Sequence, residues 1–210
     1  PYPRGRTVAT VRTELADQLA SLPDDSWDRP SLCNGWRVRD VVAHMTLPER
    51  FSRGLNPLAR AGFSLRRMIR DDAVARGSAP VADVLAAFRA GIERQTTPPG
   101  RRPQHVLDDT YVHARDVRRP LDLVAPPGSP TLDSDVLVGI LAALAADRSL
   151  GVARRVTGLR LVATDVDWAR GTGSEVVGPA EALALVMTGR PAGLAELSGP
   201  GLATLTDRLG

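Results

Sequence analysis

Apolar residues recur at intervals of three and four along most of the chain. Between residues 6 and 22, Val8, Val11, Leu15, Leu19 and Leu22 share one stripe, which predicts a helix ended by Pro23. The segment "PDDSWDRPSLCNGW" is rich in turn formers and reads as a loop. A second helix is predicted from about Arg37 to Leu47, ended or kinked by Pro48, with Val41, Leu47 and Phe51 near the face that carries His44. Further helices are predicted over 64–75, over 81–95 before the "TTPPG" breaker, and over 104–120. "LVAPPGSP" then reads as a linker, and "DSDVLVGILAALAAD" as a nearly all-apolar helix capped by Asp133 or Ser134.

The pattern then changes. "GLRLVATDVDW" and "SEVVGP" predict two short strands joined as a hairpin around "RGTG". "PAEALALVMTG" predicts a helix with Pro in its first turn and Gly at its end, and "GLATLTDRLG" a short last helix. The expected organisation is a helical bundle over residues 1–150 and a small α+β region over 151–210. That second region is too small to bury a core alone and is expected to pack on the bundle.

One helix departs from the usual amphipathic rule. In "QHVLDDTYVHARDVRRP" (104–120), His105, Asp109, His113 and Asp116 lie within roughly 80° of one another at about 100° per residue. Valines flank this stripe, whereas Arg115, Arg118 and Arg119 lie off it. The centre of the face expected to be buried is therefore titratable, where an ordinary helix is apolar. Asp109 and His113, four residues apart, can reach one metal ion, although polar pairs at this spacing also simply stabilise helices. A third ligand must come from another helix, and His44 is the only other histidine besides His105. Both readings of His44 are open, a satisfied core histidine or a ligand. Asp116 is either an acceptor behind His113 or a surface carboxylate, His105 a rim residue, and Cys33 a small buried side chain or a reactive thiol.

Composition narrows the classes. All 27 basic side chains are Arg and are interspersed with 24 acids, so the net charge is only +3. Nucleic-acid binding needs basic charge gathered on one face, and no such stripe exists; the densest cluster, "SLRRMIRDD", closes on two Asp. No apolar run reaches the roughly 18 residues of a membrane span, and no signal-peptide pattern opens the chain. One cysteine excludes an intramolecular disulfide and fits a reducing cytoplasm. The expected partners are small molecules, without nucleic acid or membrane, and the expected state is a monomer or homodimer.

Three segments carry a resemblance. "CNGWRVRDVVAHM", "DTYVHARDVRRPL" and the tail from "GLRLVATDVDW" onward resemble, in the same order, the DinB-like, mycothiol-dependent maleylpyruvate isomerase family. The resemblance implies a mainly α fold, a DinB-like four-helix bundle with a small C-terminal α+β subdomain. It implies a divalent metal, usually zinc, held by His44, Asp109 and His113, with mycothiol as thiol cosubstrate. It also implies an isomerase or thiol S-transferase acting on a small maleylpyruvate-like electrophile, with Arg190 of "MTGRP" binding a substrate carboxylate. An arginine complementing the end of its helix is the alternative for Arg190, and a bundle that binds a ligand or partner without catalysis is the alternative for the whole. Two departures stand out. Asp109 occupies a position where the family commonly has the longer Glu, and Arg37 one where it often has a hydroxyl cap.

Overall fold

A computed structural model describes residues 4–46, 64–94 and 103–210. The chain divides into two compact units, one running to Pro126 and one from Pro127 to Gly210. The division falls inside "LVAPPGSP", so the apolar helix after that linker groups with the C-terminal unit rather than with the helices before it.

The first unit contains α1 (Arg4–Ala20), α2 (Val38–His44), α3 (Leu65–Gly77), α4 (Val81–Arg94) and α5 (Pro103–Arg118). One core draws on α1 (Val11, Leu15, Leu19), α2 (Val38, Val41, Val42), α4 (Val84, Phe88) and α5 (Ala114, Val117). Trp27, from a single 3-10 turn at Asp24–Asp28, fills the space between the first two helices in sequence. The predicted stripes are thus the faces that these helices bury. Burial of each such large side chain stabilises by about 1.5–3 kcal/mol, which offsets the modest helix propensity of the valines. Leu47, Pro48 and Phe51, expected near His44, lie outside the described residues.

The start of α2 replaces the hydroxyl cap with a different device. Asp40 accepts from the Arg37 backbone N–H at 2.9 Å, and from Arg37 Nε and one terminal guanidinium nitrogen at 3.0 Å each. A guanidinium has no acceptor, so the half of a capping box in which the N-cap side chain accepts from the third helical amide cannot form. The Asp40 carboxylate nonetheless sits in the first turn, where the helix dipole favours negative charge. Asp40 is buried, and Gly77 closes α3 against it: a Cβ at Gly77 would meet the Asp40 carboxylate and stand 3.0 Å from its Cα. This seating holds the helix that ends in His44.

The second unit contains α6 (Ser134–Ala146), α7 (Val152–Val156), β1 (Leu159–Ala163), β2 (Ala169–Gly171), β3 (Ser174–Gly178), α8 (Ala180–Met187) and α9 (Leu202–Leu209). Asp133 caps α6 as expected, accepting from the amides of Asp135 and Val136 at 3.0 and 3.2 Å. The sheet differs from the predicted hairpin. Its order is β2-β1-β3, with β1 antiparallel to β2 and parallel to β3. "RGTG" is therefore not a turn between paired neighbours; it carries the chain from one side of β1 to the other, past the beginning of that strand. Gly171 (φ +92°) and Gly173 (φ +121°) adopt backbone geometries that side chains disfavour. A Cβ at either would strike the carbonyl oxygen of Leu159 or Gly158. A Gly-rich tetrapeptide between strands reads equally as a hairpin turn or as a close backbone crossing. Only the pairing partners distinguish the two.

Candidate metal centre

The site is assembled in the first unit from two helices and the loop ahead of α2. That loop turns at Cys33–Trp36, where the Trp36 N–H donates to the Cys33 carbonyl at 2.9 Å and Gly35 takes φ +78°. Asn34 has no positive φ, so this is a type II turn, which needs Gly at its third position. The Ser31 hydroxyl accepts from the Cys33 amide at 3.1 Å, and the Leu32 amide donates to the Asp116 carbonyl at 3.1 Å, tying the loop to α5. Trp36 is thereby set against both imidazoles, its ring 5.1 Å from that of His44 and 6.4 Å from that of His113.

His44 at the end of α2 and His113 in α5 meet edge to face, with ring centroids 4.8 Å apart and planes at 80°. His113 Nε2 lies 3.5 Å from Asp109 Oδ1 across one turn of α5. One ligand atom each from His44, Asp109 and His113 lies within 4.8 Å of the others. The structure thus brings together the three residues that the resemblance implies as ligands. His105, one turn before Asp109, is half-buried and outside this group.

The opposite nitrogen of His113 is already engaged. Nδ1 lies 2.8 Å from Asp116 Oδ2, and the same oxygen accepts from the Cys33 thiol at 3.1 Å. Asp116 is fully buried. Its surface reading is excluded, and it is the acceptor that fixes His113 with the proton on Nδ1, leaving Nε2 for a ligand. Cys33, His113 and Asp116 also approach as a second group of potential donors. In that group thiol and imidazole both donate to one carboxylate, so it behaves as a relay that orients His113.

The electrostatics suit metal binding. Burial, followed by the neighbouring His113 charge, lowers the His44 pKa to about 3, so its imidazole is neutral and keeps a lone pair. Its Nδ1 is sealed from solvent and has no hydrogen-bond partner among the described residues. A buried polar atom left so costs about 1–3 kcal/mol, which a coordinated ion would offset. Burial alone would depress His113, but Asp109, Asp116 and the Cys33 thiol together raise its pKa well above the usual value. Desolvation would raise Asp109, yet His113, then His44 and Arg12, hold its carboxyl below the ordinary range. The Asp109 side chain is 48 % exposed, so the cluster opens to solvent on that side. Two imidazoles and one carboxylate on facing helices, with an open side, form a donor set suited to zinc and fit a divalent ion of catalytic type.

Three participants escaped sequence reasoning. Trp36 had only the turn signal before it. The link from Cys33 to Asp116 spans 83 positions and has no local signature. Arg12 did leave a trace: it falls on the apolar stripe of α1 between Val8 and Leu15, where a charge is out of place. Arg190 belongs to the second unit, where it precedes the 3-10 turn Pro191–Glu196 and its guanidinium donates to the Thr188 carbonyl at 2.8 Å.

Titratable side chains gathered from two helices of a bundle define a class, the helical bundles that carry a polar site among their helices. Residues 8–99 match the family described as mycothiol maleylpyruvate isomerase N-terminal domain. Two solved structures share the fold, a mycothiol-dependent maleylpyruvate isomerase and a histidine-to-alanine mutant of one. Each is 14 % identical, with a TM-score of 0.65 over 94 % of this chain and 91 % of the other. No curated protein matches the sequence. The family resemblance carried by the motifs is upheld in the N-terminal match, and the mainly α, DinB-like fold with its small C-terminal sheet is upheld over nearly the whole chain.

Proposed function

We propose that this protein is a metal-dependent enzyme that uses mycothiol to isomerise, or to couple to the thiol, a small maleylpyruvate-like electrophile. The observation that carries the reading is the convergence of His44, Asp109 and His113 on one point, with His113 backed by a buried carboxylate. The family match over residues 8–99 supports the thiol and the substrate class. His44, Asp109 and His113 would hold the ion, zinc being the one this donor set favours. When bound, such an ion stabilises a thiolate at neutral pH, where a free thiol of pKa about 8.5 is only a few per cent ionised.

The chain's own residues prepare the site. Burial keeps His44 neutral. Asp116 accepts a hydrogen bond from His113 Nδ1–H, so that Nε2 faces Asp109. Trp36 packs beside both rings, its centroid 5.1 Å from that of His44 and 6.4 Å from that of His113. Arg190, carried over from the family's C-terminal region, is proposed to bind a carboxylate of the substrate. The protein is proposed to act in the cytoplasm as a monomer or homodimer, with no nucleic-acid or membrane partner. Elemental analysis of the purified protein, followed by a mycothiol-consumption screen against electrophiles, tests this reading. One equivalent of divalent metal is expected, together with mycothiol-dependent isomerisation or mycothiol consumption that His44→Ala abolishes. Metal-loaded protein that neither binds nor consumes mycothiol would replace it with a bundle that binds a ligand without catalysis.

A further inference from the structure

We infer that Arg12 binds a carboxylate of the ligand at the His44–Asp109–His113 site, so that the electrophile handled there carries an anionic group inside the bundle. The inference rests on the function proposed above and names a binding residue that the motifs do not contain.

Arg12 lies on α1 and is only 7 % exposed. Its Nε donates to the Thr110 hydroxyl at 3.2 Å, the one hydrogen bond it makes among the described residues, and it forms no ion pair there. The other buried arginines differ. Arg118 reaches Gln18 at 2.8 Å and Glu14 at 3.5 Å, and Arg115 lies 3.8 Å over the Tyr111 ring. A buried cation without a counter-ion carries a desolvation penalty of several kcal/mol, so a purely structural arginine here should be paired.

Placement explains what the charge is for. Thr110 adjoins Asp109 in α5, and Arg12 acts electrostatically on both Asp109 and His44. Anchoring Nε leaves the two terminal nitrogens, the edge that takes a carboxylate bidentately. Neither of these nitrogens is among the sealed, unpartnered atoms, in contrast to His44 Nδ1. Asp109, the neighbour in sequence of the Thr110 that anchors Arg12, is half-exposed, so α5 is open to solvent at that turn. A metal-coordinating Asp109 has its charge committed to the ion, which leaves the guanidinium for an incoming anion.

The experiment is calorimetric titration of the full-length protein with maleate, a small dicarboxylate, and with its neutral dimethyl ester. Metal content is measured on every sample. Wild type should bind maleate, Arg12→Met should bind it at least about tenfold more weakly, the loss of one charged bidentate contact, and Arg12→Lys should fall between. The ester's affinity should not depend on position 12, and metal content should be unchanged. In turnover with a carboxylate-bearing electrophile, Arg12→Met should raise KM and leave kcat within a few-fold. Arg12→Gln carries the same test if the Met variant does not fold. Equal maleate binding by wild type and variant, or none by wild type, would overturn the inference. Metal-free protein that still binds maleate through Arg12 would instead defeat the metalloenzyme reading alone.

Discussion

Replacing Asp116 by Asn separates the orientation of His113 from its presence. The Asp116 carboxylate is completely buried, 2.8 Å from His113 Nδ1 and 3.1 Å from the Cys33 thiol. Asn retains the shape and an acceptor oxygen but removes the charge behind the imidazole. Loss of such an outer partner typically lowers metal affinity about 10- to 100-fold, or about 1.4–2.7 kcal/mol. The pH dependence identifies the cause. Asp116 is one of the groups that raise the His113 pKa, so wild-type protein must expel a tightly held proton to bind metal at lower pH. Asn relaxes that competition. The deficit of the variant should therefore be full in alkaline buffer, where His113 is already neutral, and shrink as pH falls. Competition with a chromophoric chelator at several pH values measures this directly. Equal affinity of the two proteins in alkaline buffer, with both folded, would refute the argument and return Asp116 to a merely structural role.

Asp109→Ala should lower metal content more than Asp116→Asn does while α5 stays folded, since Ala is the better helix former; Asp109→Glu should retain the metal. Elemental analysis with circular dichroism reads both. Metal-free protein should lose stability between pH 6.5 and 5, because His44 has a folded pKa near 3 and the unfolded chain takes up the proton that the folded state refuses. At about 1.4 kcal/mol per pH unit this amounts to about 2 kcal/mol. The stabilising contribution of His113, whose folded pKa is raised, is complete below pH 6.5 and is lost only as pH rises from there through the raised folded value, so it does not mask the effect. Urea titrations at the two pH values should show the drop, and His44→Ala should remove it. In the second unit, Gly173→Ala should destabilise by more than about 1 kcal/mol, since its φ is +121° and a Cβ would strike the Gly158 carbonyl. Gly139→Ala, mid-helix with nothing within 4 Å of the added carbon, should stabilise by about 0.5–1 kcal/mol; thermal melts of both variants decide.

Short-range regularities were legible from the residues alone. Apolar spacing in α1, α4 and α6 marks their buried faces, because a helix returns every third or fourth side chain to one side. Asp109 and His113 were readable as a pair for the same reason, and Asp133 as the cap of α6. What needed the tertiary structure were relations between distant segments. The parallel pairing of β1 with β3 depends on which strands meet, a choice that "RGTG" leaves open. Arg37 removes a hydroxyl cap, and only packing shows that Asp40 and Gly77 replace it. The two readings of Asp116 differed only in burial, which the loop through Cys33 decides by covering that carboxylate. Arg12 disturbs its stripe in the sequence, but its hydrogen bond to Thr110 and its lack of a contacting carboxylate among the described residues emerge only when α1 is laid beside α5. Local spacing is set by backbone geometry within a few residues. The charge state and partners of a buried group are set by every element packed around it, and those elements come from all along the chain.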